Sequence, residues 1–518
     1  MASYSTILGL SNELLRDILD YIEADPEKFI SVDRRAYLSQ ESFKAPERPP
    51  PNQAQNLASF RLTCRRFSEL GAIHQFARVT TRFSRHGLER LENIAGQPHL
   101  AKHVKKFSYM VPYFYIEGRG RVQQVLPTLQ GSLGSLNIGL FVEKFNEQRE
   151  IVQTEEDERV LKKALSAFTS LQHVQILRVQ DQQDGMLLSY IRRHNSLNEL
   201  LEIKWAPACS HSTRTLGAAM LATRSPCSRF SSPMLSPQSA LGLSEHQTQF
   251  ISALAERLTC LELHFDDGTD LDERMGQLSG LFKAVFTSAR NLQAVHLGFP
   301  SHRPLSLKLE DIFHNVRWEK LIAFGIQAWK LDADEIIGLA RRHKDKLKGL
   351  RLRDVLMKDG SMWKDVLAFL REEMQRLDWV SLRRIGYAKQ FEEQWAMGAE
   401  IPDDPPGGAS DSSDENDDND DVYDNNDDHE SDISDSVDSG EQSESDDEHG
   451  PNAHELDFPG TLMPDTPASA TWCRCGDRNS YPESAEELGD DGVFVSNTQR
   501  KMWEKWVVRG CPEHGSGS

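Results

Sequence analysis

The chain has 518 residues, 38% hydrophobic and 27% charged, with a formal net charge of −21. That length allows two or three domains, and the modest apolar fraction implies that part of the chain lies outside any packed core. No apolar run approaches the roughly 20 residues of a membrane helix. The N-terminus Met-Ala-Ser-Tyr-Ser-Thr lacks the basic start and apolar core of a signal peptide. Seven cysteines without framework spacing fit a reducing, intracellular setting, nucleus or cytoplasm.

The charge is local. Residues 403–448 hold 21 Asp/Glu and no Lys or Arg, and outside them acids and bases balance at 59 each. The absence of a strong basic tract argues against nucleic acid as the main partner.

In chain order, the first element is an amphipathic helix. Leu14, Leu15, Ile18, Leu19 and Ile22 share one face, Ser11 is placed to cap it, and Asn12 and Glu13 suit its first turn. A second helical stretch covers 57–70, with Phe60, Cys64, Phe67 and Leu70 on one face and Arg61, Arg65 and Arg66 beside it. The segment between them, 23–56, ends in Ala45-Pro-Glu-Arg-Pro-Pro-Pro-Asn52 and reads as an extended loop. Spacing alone favours two amphipathic helices of an ordinary core.

From about residue 73 to 390 a hexamer recurs, apolar-x-x-apolar-x-apolar. It runs Val104–Phe107–Tyr109, Leu171–Val174–Ile176, Leu200–Ile203–Trp205, Leu258–Leu261–Leu263, Leu292–Val295–Leu297, Leu321–Phe324–Ile326, Leu347–Leu350–Leu352 and Leu377–Val380–Leu382. Most intervals are near 30 residues, with Leu200 to Leu258 spanning two such units. Helical patterns fill the gaps, as at Asp272–Ala289, Asp332–His343 and Met362–Arg376. One short strand and one helix per unit predicts an α/β array whose parallel strands line one face and whose helices line the other. A non-repetitive α/β domain with buried strands is the alternative. His173, His264 and His296 fall in or beside strands, where a structural role is expected. Residues 206–248, rich in Ser and Pro, read as a surface loop interrupting the array. Ser225, Ser232 and Ser236 precede Pro there, as proline-directed kinases require, although such a loop produces Ser-Pro by chance.

The acidic tract, taken as 401–459, is expected to be disordered. It serves as a spacer, docks a basic partner or shields basic groups on the array. Ser412, Ser443 and Ser445 each precede an acidic residue by three positions. The tail, 460–518, regains Trp472, Trp503 and Trp506. Cys473, Cys475, Cys511 and His514 are candidate zinc ligands by type, though Cys-x-Cys is tight and the halves are distant; reduced structural cysteines are the competing reading. No phosphate-binding loop, dinucleotide fingerprint or nucleophile elbow is present.

The two N-terminal stretches resemble the F-box family. Leu10, Glu13, Leu14 and Leu15 match its first helix, and Leu57, Arg61, Cys64, Arg65, Arg66 and Phe67 match most of its second. Ser11 replaces the usual Pro, Thr63 the usual Val, and 23–56 is far longer than the family's connection. The resemblance implies a helical module over 1–72, followed over 73–400 by an irregular leucine-rich-repeat-like solenoid. It further implies a non-catalytic substrate receptor of a Skp–cullin–F-box ubiquitin ligase, without a cofactor of its own. Leu10, Leu14, Leu15, Ile18, Leu62 and Phe67 would divide between the contact with the Skp-type linker subunit and the module's own core. The repeats would bind a protein target. A ligase-independent interaction scaffold is the second reading, and a zinc-bearing enzyme the third.

Overall fold

A computed structural model of the chain describes residues 7–22, 51–117, 138–179, 201–266, 270–396, 482 and 484–508. These form an α/β structure with a predominantly parallel sheet.

Among the described residues the chain opens with a 3-10 turn (Ile7–Gly9) followed by the helices α1 (Asn12–Ile22), α2 (Pro51–Thr63) and α3 (Arg65–Gln75). The Ser11 hydroxyl accepts from the Leu14 amide at 3.4 Å, as its capping position requires. The stretch 57–70 is two helices and not one. Cys64 breaks it in an extended conformation (φ −160°, ψ 166°) and serves as the N-cap residue of α3. Residues 51–56, assigned to a loop in the sequence reading, are the first turns of α2, with Pro51 at the start where a missing amide costs nothing. The rest of that insert, 23–50, lies outside the described residues.

The sheet begins three residues after α3. Its strands are β1 (Arg78–Arg82), β2 (Lys106–Pro112), β4 (His173–Val179), β6 (Arg229–Leu235), β7 (Cys260–Phe265), β8 (Ala294–Gly298), β9 (Ala323–Leu331), β10 (Gly349–Met357) and β11 (Trp379–Arg383). They lie side by side in that order, all parallel, with β12 (Gly386–Tyr387) pairing the end of β10. A separate antiparallel pair joins β3 (Phe114–Glu117) to β5 (Leu201–Lys204).

Helices fill the connections: α4 (Arg85–Ala95), α5 (Pro98–Ala101), α6 (Ile138–Thr154), α7 (Glu156–Ala167), α8 (Trp205–Thr223), α9 (Pro237–Ala255), α10 (Leu271–Ser288), α11 (Leu309–Phe313), α12 (Ala333–Arg342), α13 (Trp363–Glu373) and α14 (Ala388–Ala396). Successive helices pack on one another from α8 to α13, forming a second layer that follows the strand order. Between the layers lies one apolar core, with Phe107, Val174, Leu261, Val295, Phe324 and Leu350 from the strands and Met275, Leu278, Phe282 and Phe286 from α10. Phe286, Phe313, Trp318 and Phe324 carry ring contacts from unit to unit at 5.2–6.2 Å.

A backbone ladder one residue before each strand ties the units together. Lys105 N–H donates to the Ala77 carbonyl, Gln172 to Lys105, Ser228 to Gln172, Thr259 to Ser228, Gln293 to Thr259, Ile322 to Gln293, Lys348 to Ile322 and Asp378 to Lys348, all at 2.7–2.9 Å.

Seven of the eight hexamers fall in this sheet. Leu200–Ile203–Trp205 does not: 201–204 pairs antiparallel with β3, and Trp205 starts α8. The supposed loop 206–248 is α8, β6 and most of α9. β6 supplies the unit concealed in the double interval, with Cys227, Phe230 and Ser232 in the hexamer positions. Ser232 escapes the apolar rule because its hydroxyl donates to the Met234 carbonyl and accepts from the Met234 amide, each at 3.2 Å. Pro233 is tolerated because the pairing with β7 shifts register between Ser232 and Leu235. Ser236-Pro237 is a helix start: the Ser236 hydroxyl caps α9 and Pro237 occupies its first turn. Ser225, Ser232 and Ser236 are all buried, so none presents a kinase site in the folded chain.

The described part of the C-terminal segment is a 3-10 turn (Ala485–Leu488) and α15 (Asn497–Val508). It packs on β11 and α13. Trp503 and Trp506 are buried, their indoles donating to the Leu488 and Pro482 carbonyls at 3.0 and 2.7 Å. The Glu504 carboxylate accepts from the Leu382 amide, and Arg500 donates to the Leu382 carbonyl. Two side chains one helical turn apart thus meet the outward amide and carbonyl of Leu382 on the last strand of the main path and cover that edge there. The acidic tract and Cys473, Cys475, Cys511 and His514 lie outside the described residues. Among the described residues no helix is long and apolar enough to cross a membrane.

Candidate functional site

Two surfaces stand out, one on the N-terminal helices and one on the sheet. In the helices, Leu15, Leu19, Leu57, Phe67 and Leu70 form a small core, with Leu10, Phe60 and Cys64 packed against it. Phe60 and Phe67 stack at 4.4 Å. Arg66 fixes the start of α1, donating to the Leu10 carbonyl at 2.6 Å and to Asn12 Oδ1 at 2.8 Å. Arg61 crosses from α2 to α3, donating to the Ser68 carbonyl and to Gln75 and lying over Phe76. Burial pushes its pKa down. Gly71 permits this crossing, because a Cβ there would meet Arg61 Cγ at 2.5 Å.

That core divides the six residues singled out in the sequence. Leu15 and Phe67 are internal, Leu10 and Ile18 half-buried, and Leu14 and Leu62 exposed at 51% and 87%. Tyr21, 87% exposed, was missed. It lies seven residues after Leu14 and three after Ile18, so all three share one face of α1. Amphipathic reading could not find it, because Leu14 and Leu15 both look like core; only the packed partners show which one turns outward. Large exposed apolar side chains on one helix face are what a partner-binding surface requires.

The second surface is the sheet face turned away from the helices. Registers align Glu262, His296, Gly325, Arg351 and Ser381 across β7 to β11, with Cys260, Ala294, Ala323, Gly349 and Trp379 in the row before and His264, Gly298, Gln327, Arg353 and Arg383 in the row after. Trp379 lies over Gly349, where a Cβ would come within 2.1 Å of its ring. The face is polar yet largely buried. Arg229 donates to the buried Glu262 carboxylate at 3.3 Å, His173 pairs with Ser231 Oγ at 2.8 Å, and Ser108 donates to Gln175 at 3.0 Å. Burial, and then the charge of Arg229, holds His173 well below the usual imidazole range; burial and Arg351 do the same for His296. The three strand histidines are all buried, as expected of structural residues. These arginines were legible in principle, since Leu350-Arg-Leu-Arg353 alternates core and charge with a strand's period of two.

A buried polar group also sits between the layers. Asp157 Oδ2 accepts from the Tyr109 hydroxyl at 3.1 Å and contacts His211 Nε2 at 2.7 Å. An apolar cavity of about 190 Å³ under α8 and α9, lined by Ile176, Gly217, Met220 and Leu243, has no titratable group in its lining. Among the described residues no cluster of three or more His, Cys, Asp or Glu could hold a metal.

No family model matches the chain, and no curated protein matches it either.

Proposed function

We propose that this chain is the substrate receptor of a Skp–cullin–F-box ubiquitin ligase. The N-terminal helices would be an F-box and the strand–helix array an irregular leucine-rich-repeat-like solenoid. The observation that carries the reading is the outward apolar face of α1, Leu14, Ile18 and Tyr21, on helices whose own core is already closed by Leu15, Leu19 and Phe67. Leu62 adds a second exposed apolar side chain on α2. The sequential parallel strand order supports the solenoid, since each unit buries its apolar face only against its neighbours. The receptor would work by proximity: the helices hold the linker subunit, the array holds a protein target, and a ubiquitin carrier on another subunit meets the target's lysine.

The test is a binding titration of the full chain against purified Skp-type linker subunit. Each exposed leucine buried at such an interface contributes about 1.5–3 kcal/mol, so Leu14→Asp and Leu62→Asp should each weaken binding at least about tenfold. Both are surface positions, and unchanged circular dichroism would show that the fold is kept. Absence of binding by the unaltered chain, or full binding by the double variant, would leave the scaffold reading in its place.

A further inference from the structure

Between the sheet and the helices, under α8, α9 and α10, the core leaves a space that the receptor reading does not use. Its volume is about 190 Å³. Phe230 on β6 lies at its floor. The register partners of Phe230, Val174 and Leu261, are buried, whereas Phe230 itself is only half-buried. The helices explain the difference. α10 turns Leu278, Phe282 and Phe286 to the strands, while α8 and α9 bring Gly217, Ala240 and Ala255 to the cavity. A Cβ on Gly217 would meet Leu243 Cδ1 at 2.4 Å, so α8 and α9 touch there and form one wall. Ile251 and Leu254 of α9 and Leu281 and Val285 of α10 also line the cavity and are half-buried, so it reaches the surface between these two helices.

The lining decides what can enter. Among the described residues its only polar side chain is Thr213, whose hydroxyl oxygen accepts from the Ser236 amide at 3.0 Å. A water molecule inside needs two to four polar partners, and this lining does not offer them. A charged group would lose its hydration and gain no counter-ion. An apolar ligand meets neither penalty. Apolar protein cavities of about 150 Å³ stay dry and take up benzene or xenon. The space here is roughly a quarter larger, which admits one ring with a short substituent. Phe230, Phe265 and Phe282 and the Met220 thioether face it, and they offer ring–ring and sulfur–ring contacts that favour an aromatic ligand over an alkane.

We infer that the cavity beneath α8, α9 and α10 is a binding site for a small uncharged molecule built on one aromatic ring. The site lies in the array and does not depend on coupling to a ligase.

Fluorine NMR of para-fluorotoluene with the full chain tests it, with the thermal midpoint measured alongside. Binding should saturate with a dissociation constant on the order of a millimolar or tighter, and the midpoint should rise with ligand concentration. Toluene should displace the probe. para-Fluorobenzoate, the same ring with a carboxylate, should bind at least about a hundredfold more weakly. Ala240→Phe puts a ring of the protein's own into the cavity, so probe binding should be lost while the midpoint is kept or raised. Ala240→Leu fills less of the space and takes its place should the larger side chain prevent folding. No saturable binding to the unaltered chain would overturn the inference. So would equal binding of the carboxylate, or unchanged affinity in a folded Ala240 variant. The comparison of toluene with the carboxylate uses no variant and stands by itself.

Discussion

His343 offers a test of how the helical layer is bound to the strands. It ends α12 and lies stacked on Trp318 at 5.5 Å. Its Nδ1 donates to the Leu339 carbonyl at 3.0 Å while its Nε2 accepts from the Trp318 amide at 3.2 Å, so the ring must be neutral to satisfy both. Burial is the main cause that lowers its pKa to about 4, with Arg342 and Arg317 adding to it. The unfolded chain titrates near 6.5. Between these values the unfolded state binds a proton that the folded state refuses, so stability is intact at neutral pH and falls as pH falls. The loss is about 2 kcal/mol by pH 5 and about 3 kcal/mol by pH 4. Urea unfolding followed by fluorescence of the nine tryptophans measures it. His343→Phe keeps the stacked ring but cannot titrate. It should be less stable than the parent at pH 7, because the Trp318 amide loses its acceptor, and that deficit should shrink by about 2 kcal/mol at pH 5. An identical deficit at both pH values would refute the assignment of a neutral, hydrogen-bonded His343.

Trp503→Ala should cost about 3–5 kcal/mol, since it removes a fully buried ring and the bond to the Leu488 carbonyl; the urea midpoint reports it. Asp157→Ala leaves Tyr109 and His211 without their shared acceptor in a site closed to water, and should cost about 3–5 kcal/mol in the same assay. Gly349→Leu places side-chain atoms where Trp379 lies, so that indole must leave its place over β10; the change appears as a red shift in emission, and an unchanged spectrum would contradict the packing. Gly71→Leu should displace Arg61 and loosen α2 from α3, lowering affinity for whatever binds Leu62 without unfolding the sheet, as measured by the same linker-subunit titration.

Much of the array could be read from the chain because its strands are buried on one face by the same three positions in each unit. The hexamers at Leu258, Leu292, Leu321, Leu347 and Leu377 all place their middle residue in a register row. The reading failed where polar residues solved the burial problem locally. β1 and β6 put Thr81 and Ser232 in the third position, and Ser232 is satisfied by Met234 of its own strand. Serine and proline then looked like loop markers, whereas in α8 the hydroxyls of Thr215 and Thr223 bond back to carbonyls four residues earlier, and Ser236-Pro237 starts α9. Leu200–Trp205 had the pattern without the neighbours: strand register is a property of two segments, and 201–204 found β3 first. For the candidate site, the sequence located α1 but not its orientation. Leu14 and Leu15 are adjacent and chemically identical, and only the packing of Leu57 and Phe67 against Leu15 turns Leu14 and Tyr21 outward.

The contact between α15 and Leu382 has a consequence for how the protein can be handled. A fragment ending at Ala396 would keep every repeat-like unit yet strip Glu504 and Arg500 from β11. The bared strand would offer an amide and a carbonyl in register to any passing β-segment, a second copy of the fragment included. Such a fragment should self-associate edge to edge during expression, β11 against β11 of a second copy, whereas one that retains 484–508 should not, as sizing chromatography would show. The helix Asn497–Val508 thus works as an edge cap, supplied by a segment about 100 residues downstream of the strand it covers.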